Sequence, residues 1–388
     1  MSRNWVLPLA MAMGVALLAA PAAHAGAGYF TSQDLTSSIG APIGDEEAAG
    51  WSTPWDLQRH FAYYSRDNRL IVASSAPGGA WTWTTAATSA WYDASFSTYS
   101  YSWDHSSHIV YVDGSTRHLM EVWSSEASPA WQTTDLTATY NGPLLATSPH
   151  GYEQDGQQHI VFTDANEDGT LWEAVFAPAT GWRFTNVTAL SGIRGQSKGD
   201  VTASSIGLDG EAIGYINPDG YPHVLIGKGG QWTDQRVGLP ESTQYPGLHS
   251  MSFLRDGHLA RYSLRYVSGI SLREVSWTPG GWTDTGLVDV LGTAVYPVQN
   301  NDSFIFDADG SEHMFAAVFG GPVKEVVRTR DGRWFLWTDT APIVDSAVWV
   351  SAFAAPDDTV HGTETEFYIY LDGNRHVVVS DLTAPYQP

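Results

Sequence analysis

The sequence predicts an all-β fold: a seven-bladed β-propeller of four-stranded antiparallel blades, in which an N-terminal strand closes the last blade. Three observations predict it. A tryptophan recurs at a regular spacing, each interval contains several short β-rich runs, and no segment shows sustained helical periodicity. A long repeat of this kind is typical of units that bury their apolar faces only against their neighbours, as propeller blades do.

The tryptophan spacing sets the number of repeats. Successive members lie 50, 51, 50, 50 and 52 residues apart: Trp81, Trp131, Trp182, Trp232, Trp282 and Trp334. Tyr29 lies 52 residues before the first of them. Removing an N-terminal segment of 25 residues from the 388 leaves 363 (388 minus 25), which divides by a repeat of about 51 into seven. The predicted blades are residues 37–86, 87–137, 138–188, 189–238, 239–287, 288–339 and 340–388.

Each repeat contains runs that read as strands. In the unit ending at Thr137 these are residues 99–103, 108–112, 118–123 and 131–137. Gly, Pro, Asp and Ser separate them, as expected of short strands joined by turns. The next unit repeats the pattern at residues 159–163, 171–176 and 181–188.

The last repeat lacks its tryptophan-type strand. Its runs lie at residues 347–354, 367–371 and 376–380, and none resembling 131–137 follows. Residues 29–36 do resemble 131–137, so we expect a strand within 27–36 to complete the last blade. Closure of this kind removes free sheet edges. An open solenoid is the alternative, but it would not need a split repeat.

The first 25 residues read as a secretory signal. Arg3 precedes a mostly apolar run, and Ala23-His24-Ala25 is a small-x-small cleavage site. We therefore expect cleavage near Ala25, a single propeller domain over residues 26–388, and a secreted protein, extracellular or periplasmic.

The amino-acid composition limits the classes of molecule that the protein can bind. The net charge of −23 disfavours nucleic acid and anionic membranes, and no second apolar run suggests membrane insertion. The chain has no cysteine, so disulfides and thiolate chemistry are excluded. Aromatic residues make up 13% of the chain and charged residues 16%, which favours aromatic and polar contacts over ionic ones. Oligomerisation stays open.

Two recurrences supply candidate binding residues. The fourth-strand tryptophans could pack between blades, or could offer a face on which a sugar ring stacks. On the third strand a Glu lies next to an aromatic residue, as in Glu121-Val-Trp123, Trp172-Glu173 and Glu274-Val-Ser-Trp277. A carboxylate beside an aromatic ring suits a neutral sugar, and it equally suits a solvated outer strand.

Metal sites receive less support. Histidines open the second strand of five repeats: His60, His108, His159, His258 and His313. Lying in different blades, they cannot converge on one ion, and a hydrogen-bonding role is favoured. Asp164 to Gly169 begins like a calcium loop, but its twelfth position is Val175 rather than Glu. We predict neither a metal nor a cofactor.

Catalysis has little support in the sequence. A glycosidase needs two carboxylates held a short distance apart. No unique acidic cluster, sialidase-type Asp-box or nucleophile elbow stands out. A glycan-processing hydrolase or lyase, and a protein-interaction scaffold, stay open as alternatives.

The runs His108-Ile-Val-Tyr, Leu-Met-Glu-Val-Trp123, Ala-Trp131 and Asp-Leu-Thr137 resemble the repeat of fucose-binding propeller lectins. The resemblance covers nearly the whole mature chain. It is closest to the seven-bladed bangle-lectin group and more distant from the six-bladed fungal family. It implies binding of fucose or related glycans in pockets between blades, without a cofactor. The six-bladed family pairs its strand-three Glu with an Arg on strand two, and here only Arg261 comes near that position.

We therefore predict a carbohydrate-binding protein whose partners are glycans or glycoconjugates. The Glu role of the resemblance falls on Glu121, Glu173 and Glu274. The aromatic role falls on Trp123, Trp131, Trp182, Trp277 and Trp282.

Overall fold

The computed structural model describes most of the chain beyond its first 30 residues. The described ranges are 31–88, 96–166, 169–193, 201–206, 210–240, 248–256, 259–268, 271–278, 281–293, 295–297, 303–306, 311–318, 323–329, 331–337, 349–358, 363–371 and 374–385. The predicted signal segment lies outside them. None of the helices in these ranges is long and apolar enough to cross a membrane.

The described strands pair into seven antiparallel sheets, here numbered along the chain. Sheet 1 contains β2 (Gly44–Ser52), β3 (Arg59–Ser65), β4 (Arg69–Ser75) and β5 (Thr82–Thr88). Sheet 2 contains β6 (Ser97–Tyr101), β7 (Ser106–Val112), β8 (Leu119–Ser125) and β9 (Gln132–Asp135). Sheet 3 contains β10 (His150–Gln154), β11 (Gln157–Thr163), β12 (Leu171–Ala177) and β13 (Gly181–Asn186).

The second half of the chain repeats this arrangement. Sheet 4 contains β14 (Thr202–Ser205), β15 (Gly210–Ile216), β16 (Pro222–Lys228) and β17 (Gln231–Arg236). Sheet 5 contains β18 (Leu248–Asp256), β19 (Leu259–Ser268), β20 (Ser271–Thr278) and β21 (Gly281–Gly286). Sheet 6 contains β22 (Val295–Pro297), β23 (Ser303–Phe306), β24 (Ser311–Val318), β25 (Val323–Arg328) and β26 (Trp334–Trp337). Sheet 7 contains β1 (Thr31–Asp34), β27 (Trp349–Asp358), β28 (Thr363–Leu371) and β29 (Val377–Pro385).

Sheet 7 joins the two ends of the described chain. Strand β1 pairs antiparallel with β29, from Thr31 opposite Asp381 to Asp34 opposite Val378. Just beyond β1, Leu35 is fully buried in an apolar cluster that includes Leu371 of sheet 7 and Phe61 of sheet 1. The all-β prediction is confirmed.

Within the described ranges, four five-residue helices follow tryptophan-type strands, and the sequence did not predict them. They are α1 (Leu35–Ile39), α2 (Leu136–Tyr140), α3 (Val187–Ser191) and α4 (Leu287–Leu291). Asp34, Asp135 and Asn186 cap the first three by accepting a hydrogen bond from a backbone N–H three residues later. One helical turn is too short to show periodicity, so the strands predicted over 29–36 and 131–137 end earlier than expected.

The recurring tryptophans pack between neighbouring sheets. Trp131 contacts the cluster formed by sheets 1 and 2, and Trp182 lies in the cluster of sheets 2 and 3. Trp232, Trp282 and Trp334 pack against the next three clusters. The spacing thus reflects a structural role at each interface, since an indole covers a large apolar area between two sheets.

Candidate functional site

The second-strand histidines and third-strand glutamates are partners. The Nδ1 atom of His108 lies 2.8 Å from Glu121 Oε1, and that of His159 lies 2.6 Å from Glu173 Oε1. His313 contacts Glu325 in the same way. Both recurrences are visible in the sequence, but nothing in the sequence shows that the two residue types are partners.

Strand register brings each pair together. In sheet 2, Glu121 lies opposite Val110, two residues beyond His108 on the neighbouring strand, so both side chains share one face of the sheet. The first strand adds an aromatic ring. Tyr99 stacks on His108 with ring centroids 5.0 Å apart, and Tyr152 stacks on His159 at 5.2 Å.

The three predicted glutamates are buried, not solvated. Glu121, Glu173 and Glu274 are 4%, 5% and 1% exposed. The alternative that these glutamates lie on a solvated outer strand is therefore wrong. A buried carboxylate must be paired, and each of these is.

Replacing Glu121 with alanine is expected to lower the free energy of unfolding by about 1–3 kcal/mol, because it leaves buried His108 without its acceptor. The matched control is Glu126→Ala. Its side chain is 76% exposed and lies 2.9 Å from half-exposed His105, and exposed pairs contribute about 0–1 kcal/mol. Urea denaturation of both variants measures the difference. Equal losses would mean that the buried His–Glu pair has no special role.

Sheet 5 pairs its glutamate with arginine. Arg265 Nη2 lies 3.1 Å from Glu274 Oε2 and also donates to Glu312 of sheet 6. Arg328 of sheet 6 donates to Glu274 as well. The arginine opposite the strand-three Glu is thus Arg265. The prediction that placed Arg261 nearest that position is wrong. Arg261 pairs with Leu254 on β18, whereas Glu274 lies on β20.

A second carboxylate pair lies between sheets 3 and 4. Glu211 of sheet 4 accepts a 2.5 Å hydrogen bond from the Tyr152 hydroxyl, and its Oε2 lies 3.5 Å from His159 Nδ1. Burial and the charge of Glu173 raise the pKa of Glu211 to about 7. Glu211 was missed because sheet 4 has Val224 where sheet 3 has Glu173, so the local sequence carries no Glu–aromatic pattern.

A cavity of about 470 Å³ opens between sheets 1 and 2. Its lining joins strand residues of both sheets with three loops: Thr53, Trp55, Asp56, Gln58, His60, Ser74, Thr84, His105, Ser107, Ser124, Ser125, Glu126, Pro129 and Trp131. Neither lysine nor arginine contributes to this lining. Its size matches a small-molecule site.

Small side chains leave this space open. The cavity is lined by Thr53, Ser74 and Ser124. The strand registers show that the next repeat has a larger residue at each equivalent position: Tyr101 for Thr53, Trp123 for Ser74 and Phe176 for Ser124. Between sheets 2 and 3, Tyr101 and Phe176 meet edge to face with ring centroids 6.3 Å apart, and Phe176 packs on Trp182. Between sheets 2 and 3, aromatic rings thus occupy the positions that border the cavity between sheets 1 and 2.

The cavity presents aromatic faces and hydroxyl groups. Trp131 is half-buried in its wall, and Trp55 stacks on His105 at 5.0 Å with the rings 8° from parallel. His60 Nδ1 lies 2.8 Å from Ser74 Oγ, because Val72 occupies the position of the missing glutamate. Burial lowers the pKa of His60 to about 4, so its ring is neutral near neutral pH and can donate or accept a hydrogen bond.

The carboxylates at the cavity have protein partners. Asp56 Oδ1 accepts from the Thr53 hydroxyl and from the backbone N–H of Gln58, and its Oδ2 accepts from Gln58 Nε2 at 2.9 Å. Asp56 therefore stabilises its own turn. Glu126 pairs with His105 at the exposed rim.

The structure brings only Trp131 of the predicted site residues into this cavity. Trp182 and Trp282 pack at later interfaces, where Trp282 Nε1 donates to Gln235 Oε1 at 2.5 Å. Trp123 and Trp277 are half-buried on third strands. Trp55 and His105 were not predicted as site residues, because they lie in loops outside the repeated strands, where periodicity carries no signal.

The segment from Asp164 to Gly169, which begins like a calcium loop, is described only in part. Asp164 is 4% exposed, and its Oδ1 accepts from the backbone N–H of Asn166 at 2.7 Å, as in an ordinary acidic turn. Residues 167 and 168 lie outside the described ranges. The absence of calcium stays a prediction.

Comparison with solved structures identifies the fold. The BP39L lectin from Burkholderia pseudomallei superposes with a TM-score of 0.67 at 13% identity, over 89% of this chain and 98% of that one. The Aleuria aurantia lectin, described as a six-bladed β-propeller with a novel fucose recognition mode, gives 0.52 at 12% identity over 75% and 93%. A variant of that lectin in complex with alpha-methyl-L-fucoside gives 0.53.

These similarities confirm the β-propeller class. At such low identity they concern the fold alone. No protein-family profile matches the sequence. No curated protein matches it either.

Proposed function

We propose that this protein is a secreted lectin that binds neutral glycans, fucose or related sugars among them, in the cavity between sheets 1 and 2. The observation that carries the proposal is the cavity itself, which combines the Trp131 face with hydroxyl and imidazole groups and lacks lysine and arginine. A sugar presents an apolar C–H face that stacks on an aromatic ring and hydroxyls that exchange hydrogen bonds with Ser74, His60 and Thr53. The structural neighbours named as fucose-binding proteins support the same class of ligand.

The cavity lining does not favour the glycan-processing alternative. A glycosidase uses two carboxylates with distinct roles as acid and as nucleophile or base. Of the two carboxylates at this cavity, Asp56 is occupied by its own turn and Glu126 is paired with His105. The direct sugar contacts predicted for Trp182, Trp277, Trp282 and the buried glutamates stay predictions, to be tested separately from the cavity.

We also propose that the seven sheets are the blades of one closed ring, with β1 as the strand that closes it. The pairing of β1 with β29 supports this, as does the apolar cluster shared by sheets 7 and 1. This arrangement would differ from that of the six-bladed neighbour.

Filling the cavity tests the lectin proposal. Ser74→Trp introduces the residue that the next repeat has at the same position, Trp123, and we expect it to abolish sugar binding while the protein stays folded. The wild-type protein is first screened on a glycan array, and the best ligand is then titrated by calorimetry. Trp131→Ala is expected to lower the affinity for the same ligand at least about tenfold, since it removes the ring on which the sugar stacks.

The matched control for Ser74→Trp is Thr88→Trp, at an exposed position of the same sheet and outside the cavity. It should bind as the wild type does. Unchanged binding in Ser74→Trp would place the sugar site elsewhere. Turnover of a glycan without simple saturable binding would favour the enzyme alternative.

A further inference from the structure

The interfaces between sheets 2 and 3, 3 and 4, and 5 and 6 use the same two positions in different ways. One position is the third-strand glutamate of the earlier sheet. The other is a residue on the second strand of the later sheet, which pairs with the third-strand residue that itself pairs with the recurring tryptophan. The pairs are Glu121 and Gln158, Glu173 and Glu211, and Glu274 and Glu312.

Between sheets 5 and 6, the two carboxylates enclose a fixed cation. Arg265 is fully buried and donates to both Glu274 and Glu312, and Arg328 donates to Glu274. Two guanidinium groups thus balance two carboxylates. Buried charges require this kind of compensation.

Between sheets 3 and 4 both arginines are replaced. Val161 occupies the position of Arg265, and Gly227 occupies that of Arg328, with the Trp232 ring covering the glycine. The carboxylate pair remains, and a histidine joins it. The N and O atoms of His159, Glu173 and Glu211 that could hold an ion all lie within 4.8 Å of one another.

We propose that His159, Glu173 and Glu211 form a binding site for a divalent transition metal ion of the zinc type. A zinc ion held by one imidazole nitrogen and two carboxylate oxygens at about 2.0–2.2 Å needs these atoms roughly 3–4 Å apart. The cluster meets that spacing with small side-chain movements. The metal supplies between sheets 3 and 4 the positive charge that Arg265 supplies between sheets 5 and 6.

The surroundings suit this ion. The Tyr152 hydroxyl, bonded to Glu211, is placed to act as a fourth ligand or to orient the carboxylate. The side chains of His159 and Glu211 keep 11% and 15% exposure, which gives an ion access from solvent. Calcium fits less well, because it takes six to eight oxygen ligands and disfavours imidazole.

The neighbouring interfaces supply the test variants. Glu211→Gln copies Gln158, which accepts from the Tyr99 hydroxyl at 2.9 Å in the folded protein, so this variant is expected to fold. Gln158→Glu creates the same pair of carboxylates beside His108. Protein without a histidine tag is stripped with EDTA and titrated with zinc chloride, using calorimetry for stoichiometry and metal analysis after gel filtration.

We expect one tightly bound zinc per chain for the wild type, an at least tenfold weaker affinity or no binding for Glu211→Gln, and two zinc ions for Gln158→Glu. Zinc should raise the melting temperature of the wild type and not that of Glu211→Gln. Equal zinc binding by wild type and Glu211→Gln would locate the ion elsewhere and overturn the proposal. The proposal would also be overturned if the wild type does not bind zinc and its stability changes only with pH. That result would mean that a proton shared by Glu173 and Glu211 balances the two carboxylates. Neither outcome bears on glycan binding, so this proposal fails or stands independently of the lectin proposal.

Discussion

Replacing Arg265 with methionine is expected to lower the free energy of unfolding by about 3–5 kcal/mol, because it leaves Glu274 and Glu312 as buried carboxylates without their shared cation. All three side chains are at most 1% exposed, so water cannot replace the guanidinium. Burial alone would lower the pKa of Arg265, but Glu312 and Glu274 raise it above its usual value, so the residue is charged in the folded protein. Urea denaturation followed by tryptophan fluorescence measures the change.

The matched control is Arg333→Met. Arg333 also pairs with a carboxylate, at 2.8 Å from Asp331, but both side chains are more than half exposed. Exposed pairs of this kind contribute about 0–1 kcal/mol. Adding Glu312→Gln to Arg265→Met should recover part of the lost stability, since the two residues are coupled. A mild effect of Arg265→Met, equal to that of the control, would contradict the view that the buried cation holds sheets 5 and 6 together.

Deleting residues 26–36 is expected to lower the melting temperature by more than about 10 °C. The deletion removes β1 from the edge of sheet 7, and it removes Leu35 from its cluster with Leu371 and Phe61. Loss of the buried leucine alone costs about 2–5 kcal/mol, and each kcal/mol corresponds to roughly 2–4 °C in a large domain. Thermal unfolding followed by circular dichroism measures it.

Two further measurements distinguish the loss of the closing strand β1 from a general effect of shortening the chain. Leu35→Ala should reproduce part of the loss, whereas Leu190→Ala should not, since Leu190 lies in the equivalent short helix of sheet 3 but is 65% exposed. A synthetic peptide of residues 26–39 added to the truncated protein should restore some stability. A truncated protein as stable as the chain of residues 26–388 would contradict the proposed closure.

Strand positions were predictable from the sequence because they depend on local patterns. Residues 108–112 and 118–123 are β-rich runs separated by turn residues, and the structure places β7 and β8 there. The resemblance of residues 29–36 to 131–137 likewise anticipated a strand near the N-terminus, and β1 is found at Thr31–Asp34. Helices α1 to α4 could not be predicted, because a helix of only one turn leaves no periodic signal.

The candidate site was only partly predictable. Trp131 belongs to the repeat and was identified, whereas Trp55 and His105 belong to loops that no repeat marks. The burial of Glu121 was not predicted, because a charged residue on a strand usually faces water. Only the register between β7 and β8 shows that His108 lies beside it.

The repeat length, the all-β class and the residue types that recur at each strand could all be read from the sequence, since they follow from periodicities along the chain. The tertiary structure decided which recurring residues meet: His108 with Glu121, Arg265 with two glutamates, and Glu173 with Glu211 across an interface. It also decided where a cavity opens. Such features arise where one repeat differs from its neighbours, as Ser74 differs from Trp123. The effect of such a difference depends on side chains that another sheet brings to the same place.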